Sequence, residues 1–356
     1  MKYYRLDNIL KHGALYNIIF GERSNGKTYA VQEYALKKYL EDGSQLAILR
    51  RWRDDFVGKR GQMMFSALVE NGVVDKLTHG EWTDIYYHAS RWYLCRYEDD
   101  KRITSEEVFA FGFSITAQEH DKSTSYPKIR TVLFDEFITR TVYAQDEFIL
   151  FQNVLSTIIR QRTDVTIFML GNAVNKFCPY FNEMGLKHIS KMQAGDIDVY
   201  NYGESNLKVA VEYTMSNKKG KPSDVYFAFD NPKLKMITGG EWELDIYPHC
   251  PEKIRPCDVV FKFFIDFDGN LLQGNVISSE LGNYLYIHQK TTPLKDYDTD
   301  LIFSLEISPR PNVRKNIMKP PDNIGKKIAM FFVMQKVFYS TNDVGEIVRN
   351  YLQNAK

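Results

Sequence analysis

The sequence predicts an α/β fold: a P-loop domain with a mainly parallel central sheet, then a linker region, then a small α+β unit. Three observations predict it. A glycine-rich loop joins an apolar run to an amphipathic one, a second apolar run ends in two carboxylates, and a third ends in an asparagine.

The loop is Gly21-Glu22-Arg23-Ser24-Asn25-Gly26-Lys27-Thr28, which matches G-x-x-x-x-G-K-[ST]. Ala14 to Phe20 reads as a buried strand, and Ala30, Val31, Tyr34, Ala35 and Tyr39 recur at helical spacing. The turn therefore ends at a helix N-terminus, where backbone N–H groups and the helix dipole favour an anion. Lys27 adds a full positive charge, and Thr28 is the expected ligand of a magnesium ion. ATP with Mg2+ is the expected ligand pair.

The acidic run is Thr131-Val-Leu-Phe134-Asp135-Glu136, four apolar or β-branched residues followed at once by two acids. Such a run reads as a parallel strand that delivers carboxylates to its C-terminal end. Asp135 is expected to hold magnesium through water and Glu136 to orient and deprotonate the attacking water. A glutamate in that place suits hydrolysis rather than transfer to a hydroxyl acceptor. A small-molecule P-loop kinase leaves Glu136 and the second unit unexplained. A non-catalytic nucleotide switch or assembly adaptor leaves Glu136 unexplained as well.

Asp164 to Leu170 reads as the third buried strand, and Gly171-Asn172-Ala173 follows it. Asn172 is the candidate γ-phosphate sensor. The order of loop, second strand with Arg50 and Arg51, acidic strand and sensor strand suits ATPases that insert a strand between the loop strand and the acidic one. Between the last two strands, Glu147 to Ile159 reads as a helix that runs into Arg160-Gln-Arg162. Arginines there either neutralise the helix's negative end or supply a finger to a neighbouring subunit's phosphate.

Composition bounds the rest. The chain has 356 residues, a formal net charge of +1 and a hydrophobic content of 44%, enough for two cores and too neutral for a globally basic nucleic-acid surface. Cys95, Cys178, Cys250 and Cys257 are scattered, which predicts a reducing compartment and no structural zinc. No apolar run reaches membrane-spanning length and the N-terminus lacks a signal-peptide core, so no membrane partner is expected. Tyr86 to Tyr97 and Glu107 to Ile115 read as a β-meander inserted in the first domain. The expected boundaries are 1–192 for the ATPase domain, 193–248 for the linker and 249–356 for the last unit. Asp343 to Glu346 is expected to cap a final amphipathic helix.

Taken together, the phosphate loop, Leu49-Arg50-Arg51-Trp52-Arg53, Ser125-Tyr126-Pro127, Leu133 to Ile138, Arg160-Gln-Arg162 and Gly171-Asn-Ala-Val174 resemble the DNA-packaging ATPases of phi29-like phages. The resemblance covers most of the first half and only the broad pattern of the second. It implies an ASCE, terminase-type motor: a homomeric ring, pentameric by expectation, at the portal vertex of an empty procapsid in the host cytoplasm. Such a ring pumps double-stranded DNA inward, with a structural packaging RNA as a further conceivable partner. The resemblance makes Arg160 the trans-acting finger and sets Arg53 and Lys122 at the pore or adjoining subunit as DNA contacts. It also implies a C-terminal domain of ribonuclease-H-like kind in degenerate form. Asp266 and Asp268, with Asp296, Asp298 and Asp300, have the strand-face spacing that a two-metal nuclease needs, but acids beside turns of this kind are expected to be solvated, with no nuclease activity. Arg314, Lys315, Lys319, Lys326 and Lys327 make this part locally basic.

Overall fold

The computed structural model describes residues 4–23, 25–117, 124–139, 141, 143–173, 177–203, 207–214, 247–250, 253–280 and 282–355. The chain forms two compact units, Met1–Trp242 and Glu243–Lys356.

In the first unit ten strands make one sheet: β1 (Tyr16–Gly21), β2 (Gln45–Arg50), β3 (Asp84–His88), β4 (Arg91–Glu98), β5 (Lys101–Thr104), β6 (Ala110–Ser114), β7 (Ile129–Asp135), β8 (Thr166–Asn172), β9 (Ile197–Tyr202) and β10 (Leu207–Thr214). Their order is β3-β4-β6-β2-β7-β8-β1-β10-β9, with β5 on β4. From β6 through β10 every neighbouring pair is parallel. The sensor strand β8 lies between the loop strand β1 and the acidic strand β7, as the order of motifs predicts.

Parallel strands buried on both faces need apolar residues at nearly every position, and all six residues of β1 are buried. Alternation then divides the strands between two cores. Ile18, Phe20, Val132, Phe134, Ile167 and Met169 enter one core, which the helix Glu147–Ile159 covers with Phe151, Val154 and Ile158. Ile19, Leu133, Phe168 and Leu170 enter the other, against Val31, Ala35 and Leu36 of the helix Lys27–Asp42. β3, β4 and β5 form the expected antiparallel meander, which β4 joins to the sheet through β6.

One boundary differs from expectation. β9 and β10 fall within the segment read as linker, yet β10 pairs with β1 in parallel over Tyr16–Gly21 and β9 closes the edge. Polar Asp198, Asn201, Lys208 and Glu212 broke the apolar pattern, although Val209, Ala210 and Val211 are fully buried. Residues 215–246 of that segment lie outside the described residues.

The second unit has a six-stranded sheet: β11 (Val259–Phe267), β12 (Asn270–Ser279), β13 (Gly282–Gln289), β14 (Ile302–Ser304), β15 (Val313–Arg314) and β16 (Val337–Tyr339), in the order β15-β14-β11-β12-β13-β16. β11, β12 and β13 are an antiparallel meander, and β14 joins β11 in parallel. Phe263, Ile265, Leu285 and Phe303 are buried in this sheet, as are Ile347, Val348 and Tyr351 of the final helix Asn342–Asn354. The cap of that helix is Thr341, whose hydroxyl accepts the N–H of Val344, two residues earlier than the acidic segment suggested.

Candidate functional site: a phosphate loop facing two carboxylates

The parallel strands end together along one edge of the sheet, and the predicted residues collect there. Gly21 closes β1 in register with Asn172 of β8 and Thr214 of β10. A side chain at Gly21 is excluded, because its Cβ would lie 2.2 Å from Thr214 Oγ1 and the backbone has φ 149°. Gly26 takes the left-handed conformation, φ 88°, that turns the loop into the helix Lys27–Asp42. Asn25 pins the loop: its Nδ2 donates to Thr214 Oγ1 at 2.8 Å and its Oδ1 accepts the Lys27 N–H at 3.3 Å. Thr214 was invisible to motif reading, since its role follows from β10 lying beside β1.

Lys27 is only 6% exposed, and its ammonium donates to the Glu22 carbonyl at 2.7 Å, folded back over the loop. Burial pulls its pKa down to about 8, against the opposing pull of Asp135 and Glu22. A concave loop of backbone amides with a buried, poorly solvated ammonium fits a phosphate chain. Ser24 lies outside the described residues, and Arg23 is exposed on the loop.

Thr28 Oγ1 donates to Asp135 Oδ1 at 3.2 Å. These two oxygen groups, a hydroxyl in the first turn of the helix Lys27–Asp42 and a carboxylate at the end of β7, fit a small hard cation that keeps most of its water. Burial raises the pKa of the Asp135 carboxyl, while the Arg50 guanidinium opposes that rise. Arg50, the last residue of β2, donates to Asp135 Oδ2 at 2.9 Å and to Glu136 Oε2 at 2.7 Å. Glu136 itself stands at φ 61°, an uncommon conformation outside glycine that turns its exposed carboxylate off the strand end.

A second, buried layer supports this edge. Arg51 donates to both oxygens of Glu147, at 2.7 and 2.8 Å, and to the Phe137 carbonyl at 2.8 Å. Tyr180 O–H and the Ala144 N–H also donate to the Glu147 carboxylate. The segment that follows Glu136 is thereby tied to the first residue of the helix Glu147–Ile159. The sequence singled out Arg51 only as a strand-end residue and Glu147 only as a helix start, because their pairing depends on the strand order.

Arg160 and Arg162 part company. Arg162 reaches four carbonyls, those of Ile158, Ile159, Tyr126 and Pro127, and so neutralises the helix end and ties it to a loop. Arg160 is exposed just past the helix at φ 55°, and its guanidinium donates to the Thr124 carbonyl at 3.2 Å. Asn172 sits at the loop edge, half-buried, where the next residue, Ala173, donates its N–H to the Gly21 carbonyl at 3.0 Å. Arg53 is exposed at the start of a short 3-10 turn, Arg53–Phe56, outside this cluster, and Lys122 lies outside the described residues.

The acids of the second unit do not gather. Asp296 Oδ1 accepts the N–H groups of Asp298 and Thr299 in a turn, Asp298 pairs with Arg310 at 3.4 Å, and Asp268 sits exposed in a turn at φ 52°. Asp266 and Asp300 are half-buried, and the Asp266 carboxyl is pushed up by burial and then by Glu306. Among the described residues no group of three or more His, Cys, Asp or Glu side chains is placed to hold a metal ion. Arg314 pairs with Asp322, and the four nearby lysines are exposed.

Comparison with known proteins agrees with the geometry. The DNA packaging proteins of Bacillus phages phi29 and PZA are each 25% identical to the chain over 182 residues, 50% of this chain and 49% of theirs. The match therefore spans about half the length of these curated relatives. The phi29 viral genome packaging motor assembly covers 99% of both chains at 18% identity with a TM-score of 0.56, and the Phi-28 gp11 DNA packaging motor covers 99% of this chain and 98% of its own at 17% identity and 0.51. Both share the fold. The model of the podovirus DNA encapsidation protein (Gp16) family matches residues 1–221, well over half the chain and all of the phosphate-loop site, and the protein belongs to that family.

Proposed function

We propose that the protein is an ATP-hydrolysing motor that moves double-stranded DNA into a preformed procapsid. The approach of Thr28 Oγ1 to Asp135 Oδ1, with Glu136 next in the chain, carries this reading. The loop amides and Lys27 bind the phosphate chain, and Thr28 and Asp135 hold the ion side of it. Thr28 and Asp135 would hold a Mg2+ ion, whose charge would offset the negative charge that develops on the phosphates. Glu136 orients a water in line with the terminal phosphate and takes its proton, and Asn172 senses that phosphate.

Leaving Arg50 is part of this step, because Glu136 cannot hold a water while both carboxylates share one guanidinium. Arg160, with one carbonyl partner among the described residues, is the finger offered to a neighbouring copy, and Arg162 is the cap. We place the subunits in a homomeric ring, a pentamer by family resemblance, at the portal vertex in the host cytoplasm. Arg53 and Lys122 are proposed to touch DNA phosphates without reading bases. The unit from residue 249 onward is proposed as a former nuclease that now serves assembly, where portal or a structural RNA meets the ring.

Mixing purified protein with DNA, ATP, Mg2+ and empty procapsids tests the reading. DNA should become resistant to added nuclease only when ATP is present. Absence of protection, with procapsids of proven competence, would count against a packaging motor.

A further inference from the structure

The backbone at Glu136 stands at φ 61°, in the left-handed region that a side chain disfavours, so contacts outside the residue must keep it there. Those contacts come from two strands. On one side the Glu136 carbonyl accepts from Arg51 Nη1 at 3.4 Å and the Phe137 carbonyl accepts from Arg51 Nη2 at 2.8 Å. On the other side the Phe137 N–H donates to the Leu170 carbonyl of β8 at 3.1 Å, and Ile138 packs against Gly171 of the same strand. Relaxation of φ at Glu136 to the negative range would carry these carbonyls off Arg51.

The grip depends on how the guanidinium is aimed. Its donors form one rigid fork, and every nitrogen is engaged: Nε and Nη2 on Glu147 at 2.7 and 2.8 Å, Nη1 and Nη2 on the two carbonyls. Glu147 is aimed in turn. The Tyr180 hydroxyl donates to it at 2.9 Å and the Ala144 N–H at 2.7 Å, while the Tyr143 ring lies 5.1 Å from the Arg51 guanidinium. An apolar pair would fill the same space without the cost of taking two charges out of water. It could not hold two carbonyls.

We propose that Arg51 is the positioning residue of the hydrolytic glutamate: it fixes the peptide on the C-terminal side of Glu136, so that the carboxylate leaves the strand end at one angle, and Glu147 with Tyr180 fixes Arg51. The inference rests on the reading of Glu136 as the base and adds what holds that base in place. Arg51 acts on backbone and not on phosphate, and the phosphate loop is built on β1 and the helix Lys27–Asp42. Loss of the grip therefore belongs in turnover, not in ATP affinity.

A double-variant cycle on the full chain, with DNA, procapsids and saturating ATP, tests this. Arg51→Lys keeps the charge that Glu147 needs but lacks the fork, and it should lower turnover by about tenfold to a hundredfold with ATP affinity unchanged, the scale of a misplacement of up to an ångström. In a Glu136→Gln chain the same change should cost nothing further, because no base is left to misplace. A structural role would lower both rates alike. Tyr180→Phe keeps the ring and drops the hydroxyl, so it serves even if Arg51→Lys fails to fold; turnover should fall severalfold in the native background and not at all beside Glu136→Gln. Near-native turnover in the variants that fold, or an equal loss with and without Glu136, overturns the proposal. Near-native turnover by Glu136→Gln itself would mean instead that the reading of the base has failed.

Discussion

The guanidinium of Arg50 holds the Glu136 carboxylate at 2.7 Å while its second nitrogen holds Asp135 at 2.9 Å. One cation thus offsets two adjacent carboxylates, and Asp135, buried, depends on it to stay ionised. Arg50→Ala should leave Asp135 easier to protonate and a poorer partner for magnesium. The Mg2+ concentration that half-saturates ATP hydrolysis should rise roughly tenfold, the size of a lost charge partner at a part-buried site. An unchanged Mg2+ dependence would show that the pair is incidental.

Lys27 gives a pH signature. Its free pKa lies at about 8 because burial disfavours the ammonium, and the ammonium is the form that grips phosphate. Below that pH the group is charged already and ATP affinity should be flat. Above it, binding must take up a proton, and affinity should fall by roughly tenfold per pH unit. Calorimetry in two buffers of different ionisation heat, just above that pH, should report proton uptake in the native protein and none in Lys27→Met.

Arg160 and Arg162 should separate stability from activity. Arg162→Ala removes the four carbonyl contacts at the helix end and should cost about 1 to 2 kcal/mol by denaturant unfolding. Arg160→Ala should cost almost nothing in stability and silence hydrolysis in a ring. Subunits carrying Arg160→Ala mixed with Lys27→Ala subunits should regain part of the activity, because a native finger then meets a native loop. Rings that form from the mixture yet stay silent would place Arg160 in its own subunit's structure.

The Arg51–Glu147 pair is buried at both ends, with side chains 8% and 1% exposed. Glu147→Ala strands a guanidinium in the core and should cost about 3 to 5 kcal/mol. Replacing both by apolar residues of similar size should cost much less. A single substitution that unfolds no earlier than the native chain would remove the pair from the support of the Glu136 segment.

The residues that were legible in the sequence are those whose chemistry is local. Gly21 to Thr28, Asp135 with Glu136, and the helix Glu147–Ile159 each show a composition that only one backbone setting suits, and the helix bounds agree with the structure. Partners set by strand order were not legible. Thr214 reaches Asn25 because β10 lies beside β1, and Arg50 reaches both acids because β2 lies beside β7. β9 was missed because an edge strand tolerates polar residues, and β10, paired on both sides, because Lys208 and Glu212 flank its short apolar run Val209-Ala210-Val211. In the second unit the acidic spacing was visible in the sequence, whereas the turn that engages Asp296 and the ion pair that engages Asp298 depend on neighbours the spacing does not name.

The most direct test of the central claim is the hydrolysis rate of Glu136→Gln beside that of the native protein, each with DNA, procapsids and saturating ATP. The native rate should rise when DNA and procapsids are added. Glu136→Gln should bind ATP and Mg2+ normally but turn over at least about a hundredfold more slowly, the scale for loss of a positioned base, and package no DNA. Near-native turnover by Glu136→Gln would contradict the assignment of the acidic strand end as the hydrolytic site.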